Sequence, residues 1–370
     1  MIDNKSNEYE KMVAIYDYLR KNIKWTGEYD LKVKSVFNTG LSKIYTKITN
    51  KLVKEKSLAR PFQEKKGTSS EINFLLIYLL NKAGIKTNPV IISTRDHGQI
   101  DTNIVDAKQF NHVLAYAKIG EEQFLLDATD SLRPFDILDA NDLNRIGFLV
   151  DGKDFGWIPV ANNKKTETKI LENINIDSNL NFSGKTVVYE TGYDALIHRK
   201  ALHIQGKEKY INEYKNQKLN PEFHNQVEIE NIENDTFPLV LSNNQLRKNE
   251  NAKEIQFKVH FDPAFGPADF TEFYRKYPVD FTYPFLKSYA MELTVPENYI
   301  VELPSAETYS TFGNNAFFQY LVSQNGNRIE LKINLQILKS EFPESEYNNL
   351  AELFTKLNEK LMENIVVKKP

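Results

Sequence analysis

Residues 110–130 read FNHVLAYAKIGEEQFLLDATD, and the rest of the chain is best understood outward from this stretch. Apolar, β-branched and aromatic residues fill 110–118 and return in 123–128. Between them, the turn at 119–122 carries Gly120, so the stretch predicts an antiparallel hairpin. Antiparallel partners share a constant sum of residue numbers. His112 and Asp127 share a sum centred inside the turn, which makes them direct or near-direct cross-strand neighbours. Opposed Cβ atoms lie about 4.5–5.5 Å apart, within reach of a carboxylate–imidazole contact. Such a carboxylate fixes the ring tautomer and favours the protonated ring, as in a catalytic dyad. A polar pair on the wet face of a hairpin accounts for the same residues without chemistry.

Upstream lies GTSSEINFLLIYLLNKAG, residues 67–84. Its apolar run predicts a buried helix over 71–83, stopped at Gly84. Thr68 and Glu71 have the spacing of a capping box, with Thr68 as N-cap. A helix mouth stabilises developing negative charge, which suits a nucleophile at Ser69. The capping box explains the segment equally well by itself. Residues 9–23 predict a further helix, with Met12, Ile15, Tyr16, Leu19 and Ile23 on one face. Residues 41–53 repeat the pattern, 88–94 read as a strand, and 95–108 as a polar loop.

The character of the chain changes near residue 165. The Asn-, Lys- and Thr-rich stretch 164–181 reads as a domain boundary holding a short strand. A strand at 187–189 and a helical hairpin over 193–217, broken at Gly206, follow it. Beyond 227 strands dominate: Ile255, Phe257, Val259 and Phe261 alternate, as do Tyr289, Met291, Leu293 and Val295. Asn325-Gly326 marks a hairpin between 318–322 and 329–337. The chain closes with an amphipathic helix over 344–364, its apolar face being Tyr347, Leu350, Phe354, Leu357 and Leu361. These features predict an α+β protein of two domains, 1–165 and 166–370.

Composition narrows the function classes. The 370 residues are 41% hydrophobic and 12% aromatic, enough for two ordinary cores. The formal charge of −3 argues against a nucleic-acid partner. The longest apolar run, 72–80, is short of a membrane span and is interrupted by Asn73. The absence of cysteine excludes disulfides, thiolate metal sites and a cysteine nucleophile. No phosphate loop, dinucleotide fingerprint, H-E-x-x-H or G-x-S-x-G motif occurs, so no cofactor is expected. His198 and His203 are five apart, which splays them on a helix, and nothing in the spacing argues for a metal. The polar start, MIDNKSNEYEKM, has no signal-peptide core. It fits a cytoplasmic chain, or one that begins after a removed segment.

Taken together, the motifs resemble a transglutaminase-like domain of the papain-type superfamily. The resemblance rests on Gly67-Thr68-Ser69-Ser70-Glu71 opening the buried helix, on Asn111-His112-Val113, and on Asp127 in Leu126-Asp127-Ala128-Thr129-Asp130. With Ile15–Trp25 and RKYPVDFTYPF at 275–285, the chain is similar to a family of exported Gram-negative bacterial proteins, mostly of unknown function. The resemblance implies a transglutaminase-like core at 1–165. A β-sandwich-like domain with a helical hairpin and a C-terminal helix follows at 166–370. It also implies export to the periplasm or cell envelope. The family's nucleophile is Cys, and the corresponding residue here is Ser69. A serine hydroxyl is not held as a standing anion, so His112 would have to remove its proton in the transition state. The resemblance therefore implies a degenerate core kept for binding a peptide or glycan, or for scaffolding. The alternative is an amidase, peptidase or acyltransferase using Ser69, His112 and Asp127. Trp25 and Asn111 are cleft candidates, Trp25 because active relatives use such a residue toward the oxyanion.

Two further features concern partners. Residues 41–66 hold eight basic and two acidic side chains, and Lys43, Lys47 and Lys51 share one helical face. This face suits an acidic glycan, phosphate-bearing lipid or acidic peptide, and it equally suits a solvated helix surface. The aromatics between Phe261 and Phe285 suit ligand binding or core packing.

Overall fold

A computed structural model describes residues 2, 4–31, 55–104, 106–151, 154–162, 164–249, 252–259, 261–263, 267–272, 275–305 and 307–370. The chain is an α+β protein that forms two compact units, Met1–Lys164 and Lys165–Pro370. The helix expected over 41–53, with Lys43, Lys47 and Lys51, lies outside the described residues.

In the first unit, α1 (Glu8–Asn22) starts where the Asn7 side chain accepts the Glu10 amide at 2.8 Å. Its apolar stripe of Met12, Ile15, Tyr16 and Leu19 is buried, and Ile23 follows just beyond. Next come β1 (Lys24–Trp25), α2 (Glu55–Glu64), β2 (Lys66–Gly67) and α3 (Ser69–Lys82). β1 and β2 pair in parallel and set Trp25 opposite Gly67, beside the mouth of α3. The Thr68–Glu71 capping box forms reciprocally, satisfying two helix-end donors. α3 is buried on nearly every side.

The five-stranded sheet runs β5–β4–β3–β6–β7, antiparallel throughout. Its strands are β3 (Thr87–Ile92), β4 (His112–Ile119), β5 (Glu122–Leu126), β6 (Ile146–Asp151) and β7 (Asp154–Pro159). α1 and α3 share one core with this sheet, in which Leu19, Ile72 and Leu76 meet Val113, Ala115 and Leu126. The predicted hairpin forms, but its register corrects the expected pairing. Direct opposition of His112 and Asp127 would make Ile119-Gly120 the two-residue turn. Instead Ile119 pairs with Glu122 across Gly120-Glu121, and Gly120 takes φ +59°. Asp127 therefore lies one residue past the end of β5, diagonal to His112 at the start of β4.

The second unit opens with β8 (Thr166–Ile176), β9 (Phe182–Glu190), α4 (Gly192–Gln205), α5 (Lys207–Lys218), β10 (His224–Glu230) and β11 (Leu239–Arg247). It continues through β12 (Glu254–Phe257), β13 (Val279–Asp280), β14 (Phe285–Thr294), β15 (Ile300–Glu302), β16 (Glu307–Phe312) and β17 (Ala316–Asn325). β18 (Arg328–Ile337), β19 (Glu341–Phe342), α6 (Tyr347–Met362) and β20 (Ile365–Lys368) complete it. Eight strands form one sheet, β10–β11–β9–β8–β14–β18–β17–β16, in which only the β8–β14 pair is parallel. Tyr289, Met291 and Leu293 join Leu331, Ile333 and Leu335 on one face. Leu350, Phe354 and Leu357 of α6 cover that face, together with Ile255, Ile365 and Val367 of the small β12–β20–β15 sheet.

Two expectations need correction here. The polar stretch 164–181 opens at the division between the two units, but the strand in it is not short: β8 is eleven residues long and lies inside the large sheet. Its polar residues alternate outward, Glu167, Lys169, Asn173 and Asn175 being exposed, which masks the strand in composition. The alternation expected over 255–261 gives a strand only to Phe257, although Phe261 remains buried. Of the aromatics between 261 and 285, Phe261, Phe281 and Phe285 are buried and Phe270 stacks on Phe354, whereas Tyr277 is exposed. Phe265, Phe273, Tyr274 and His260 lie outside the described residues. Among the described residues, no helix is long and apolar enough to cross a membrane.

The α4–α5 hairpin, broken at Gly206 as expected, buries Ala195, Leu202 and Tyr210 against Ile229, Leu239 and Leu241. His198 on α4 meets the buried Glu190 at 2.6 Å. Burial alone would lower the His198 pKa, but the Glu190 hydrogen bond and charge outweigh it and raise the pKa above the usual value. A raised folded-state pKa gives stability that is full below about pH 6.5 and fades as pH rises through the folded value. Wild type should thus lose stability across neutral pH relative to Glu190→Gln, whose profile should be flatter. Urea unfolding followed by circular dichroism at pH 6 and pH 9 checks this.

Candidate functional site

The start of β4, the end of β5 and the loop 127–142 bring a polar cluster into the core of the first unit. Asp127 is 2% exposed, and its carboxylate is surrounded by donors. Arg133 Nη2 reaches Oδ2 at 2.6 Å, Thr129 Oγ1 reaches Oδ2 at 2.7 Å, and Asn73 Nδ2 reaches Oδ1 at 2.7 Å. Burial opposes ionisation of Asp127, but Arg133, His112 and these hydrogen bonds overcome it and hold the pKa below the usual carboxylate range. Arg133 spans to Asp139 Oδ2 at 2.7 Å.

Asn73 explains the one polar break in the apolar run of α3. Its amide donates to the Val113 carbonyl at 2.9 Å as well as to Asp127, and its oxygen accepts the Ala128 amide at 3.0 Å. From α1, the Tyr16 hydroxyl donates to the Asp127 carbonyl at 2.9 Å, and Arg20 donates to the Ser131 carbonyl at 2.7 Å. α1 and α3 thus both supply donors to this loop.

His112 is fully buried, and Nε2 lies 3.7 Å from Asp127 Oδ1 and 3.7 Å from Asp142 Oδ1. Neither ring nitrogen makes a hydrogen bond, and neither does either carboxyl oxygen of Asp142, which is also fully buried. Burial lowers the His112 pKa, with Asp127 opposing and Arg133 adding to the shift, so the neutral ring is favoured. Burial, and then the Asp127 charge, push the Asp142 pKa well above the usual carboxylate range. Tyr29 packs edge-on to the His112 ring at 5.0 Å, and Trp25 lies 5.2 Å from Tyr29.

Ser69 is the first residue of α3, and its amide donates to the Glu28 carbonyl at 3.1 Å. Its hydroxyl is fully buried and without a hydrogen-bond partner, as is that of Ser70. The structure brings His112 and Asp127 together at ion-pair range but makes no hydrogen bond between Ser69 and His112. Trp25 directs its indole N–H to the Glu28 carbonyl at 3.1 Å. Asn111 clamps Thr94, accepting its amide at 2.9 Å and donating to its hydroxyl at 2.7 Å.

Sequence reasoning missed Arg133, Asp139, Asp142, Asn73 and Tyr29 as members of this cluster. Asn73 carried a usable signal, because an amide inside an otherwise apolar buried helix needs partners. Asp142 carried none, since it is one of several acidic residues in an irregular loop.

Residues 253–367, within the second unit, match a family described as a domain of unknown function with a solved structure, DUF3858. Over its full length the chain superposes on a crystal structure from Parabacteroides distasonis of a chain described as a "putative protease", with TM-score 0.54 and 14% identity. The chain spans 53% of the length of that protein. At this identity the likeness establishes a shared fold. No curated protein sequence matches.

Removing Arg133 leaves the buried Asp127 charge uncompensated. Arg133→Met should destabilise the first unit by about 3–5 kcal/mol at neutral pH. Its penalty should shrink in acid, because a depressed carboxylate pKa gives stability that is present above about pH 4 and lost as pH falls through the folded value. Both tryptophans, Trp25 and Trp157, lie in the first unit. Urea unfolding read by tryptophan fluorescence therefore reports on that unit.

Proposed function

We propose that the first unit is a transglutaminase-like core that has ceased to hydrolyse and serves as a binding or scaffolding module. One observation carries this reading. The Ser69 hydroxyl is fully buried without a hydrogen-bond partner, and both His112 nitrogens are likewise unpartnered. A serine nucleophile needs a base at hydrogen-bond distance, about 2.6–3.2 Å, and no such base is in place. Asp127, the residue that would orient the base, is instead held by Arg133, Thr129 and Asn73. The likeness to a protease-like fold supports an ancestry in acyl-transfer chemistry without requiring that the chemistry persist.

The half-buried Trp25 and Tyr29 beside the mouth of α3 offer aromatic surface to a peptide or glycan, the ligand classes we assign to this cleft. The similarity to exported bacterial proteins supports a place in the cell envelope.

Reaction of the full chain with a fluorophosphonate probe, read by intact mass, tests the reading. Wild type, Ser69→Ala and His112→Ala should all remain unlabelled. Stoichiometric labelling of wild type that disappears in both variants would establish an activated serine and overturn the proposal.

A further inference from the structure

The fold leaves two fully buried groups, the His112 ring and the Asp142 carboxyl, without hydrogen bonds and directed at each other. Asp127, whose carboxylate accepts from Arg133, Thr129 and Asn73, faces the same ring nitrogen. We propose that His112, Asp127 and Asp142 form a site for one divalent transition-metal ion of the zinc class. This goes beyond the binding role argued above and does not depend on it.

The separations carry the argument. His112 Nε2 is 3.7 Å from one oxygen of each carboxylate, and the three candidate ligand atoms lie within 4.8 Å of one another. A direct N–H···O bond would hold each pair at about 2.7–3.2 Å. A water bonded to both partners in tetrahedral geometry would hold them about 4.5 Å apart. Ligands about 2.0–2.2 Å from a shared tetrahedral ion lie roughly 3.4 Å apart. The two histidine–carboxylate spacings are too long for the first arrangement, too short for the second, and a few tenths of an ångström from the third, and the two carboxylates lie within 4.8 Å of each other.

Charge and ligand chemistry point the same way. Arg133 is shared between Asp127 at 2.6 Å and Asp139 at 2.7 Å. One guanidinium cannot balance both of these and Asp142 too. Once Asp142 gives up its proton to serve as a ligand, with the imidazole neutral, the cluster carries two surplus negative charges, one of them on Asp139, which water partly screens. A single divalent cation removes that surplus. Imidazole nitrogen with two carboxylates is a donor set for zinc and similar ions, whereas calcium takes 6–8 oxygens. The hydrogen bonds from Asn73 and Thr129 would fix the Asp127 carboxylate from outside, as partners of metal ligands commonly do.

Cobalt(II) titration of the chelator-treated full chain tests the site. One saturable equivalent is expected, with the visible ligand-field bands of a four-coordinate N/O site and displacement by one equivalent of zinc. His112→Ala and Asp142→Asn should each abolish the bands, whereas His203→Ala, which removes an exposed imidazole, should leave them intact. Asp142→Asn keeps the side-chain volume and removes a buried charge, so cooperative tryptophan-detected unfolding in chelator will show that this variant folds. On the unmodified chain, zinc at about a hundredfold excess over its Kd should raise the melting temperature of the first unit by roughly 5–10 °C. The proposal is overturned by no saturable cobalt binding, by bands that persist in folded Asp142→Asn, or by bands that vanish in His203→Ala.

Discussion

The first unit is organised around the buried ion pair of Arg133 and Asp127, 2.6 Å apart and each 1% exposed in its side chain. A charge in a protein interior is tolerated only when its partners are close and numerous. The neighbouring elements meet that demand together. α3 contributes Asn73 and the loop itself contributes Thr129 to the carboxylate, while Tyr16 and Arg20 of α1 hold the loop's backbone carbonyls. The loop after β5 is therefore fixed in place by hydrogen bonds, whereas α1, α3 and the sheet are held by apolar packing.

That constraint has a consequence for chemistry. A carboxylate already accepting from a guanidinium, an amide and a hydroxyl is oriented by them and not by the histidine beside it. At 3.7 Å, Asp127 acts on His112 by its charge and not by a hydrogen bond. The dyad positions are preserved while the proton relay they would need is not assembled. Asp142 reaches the same ring nitrogen from the far end of the same loop, which makes the histidine the centre of a three-residue cluster.

The second unit meets the same rule in a different setting. Glu172 is buried in the middle of the large sheet, where it accepts from the Tyr289 hydroxyl and from Thr186 Oγ1 at 3.0 Å. Arg199 enters from α4 and donates to the Asn231, Asn234 and Phe237 carbonyls, lacing the loop between β10 and β11. In both units the buried polar groups mark where irregular or twisted backbone must be held, which apolar packing alone does not specify.

Local patterning was enough to place most of the elements. Helical periodicity placed α1 and α6 with their buried faces, Thr68 and Glu71 placed the start of α3, and Gly120 and Asn325-Gly326 placed two hairpins. Each depends on interactions only a few residues apart, so the sequence by itself determines it. The full length of β8 and its pairing with β14 escaped because its exposed face is polar and β14 is more than a hundred residues away. The candidate site was legible in part: His112 and Asp127 stood out through their hairpin, and Ser69 through its helix mouth. Asp142, Arg133 and the partnering of Asn73 were decided only by tertiary structure. A buried charge selects its partners by distance in space, and nothing in the local sequence encodes that distance.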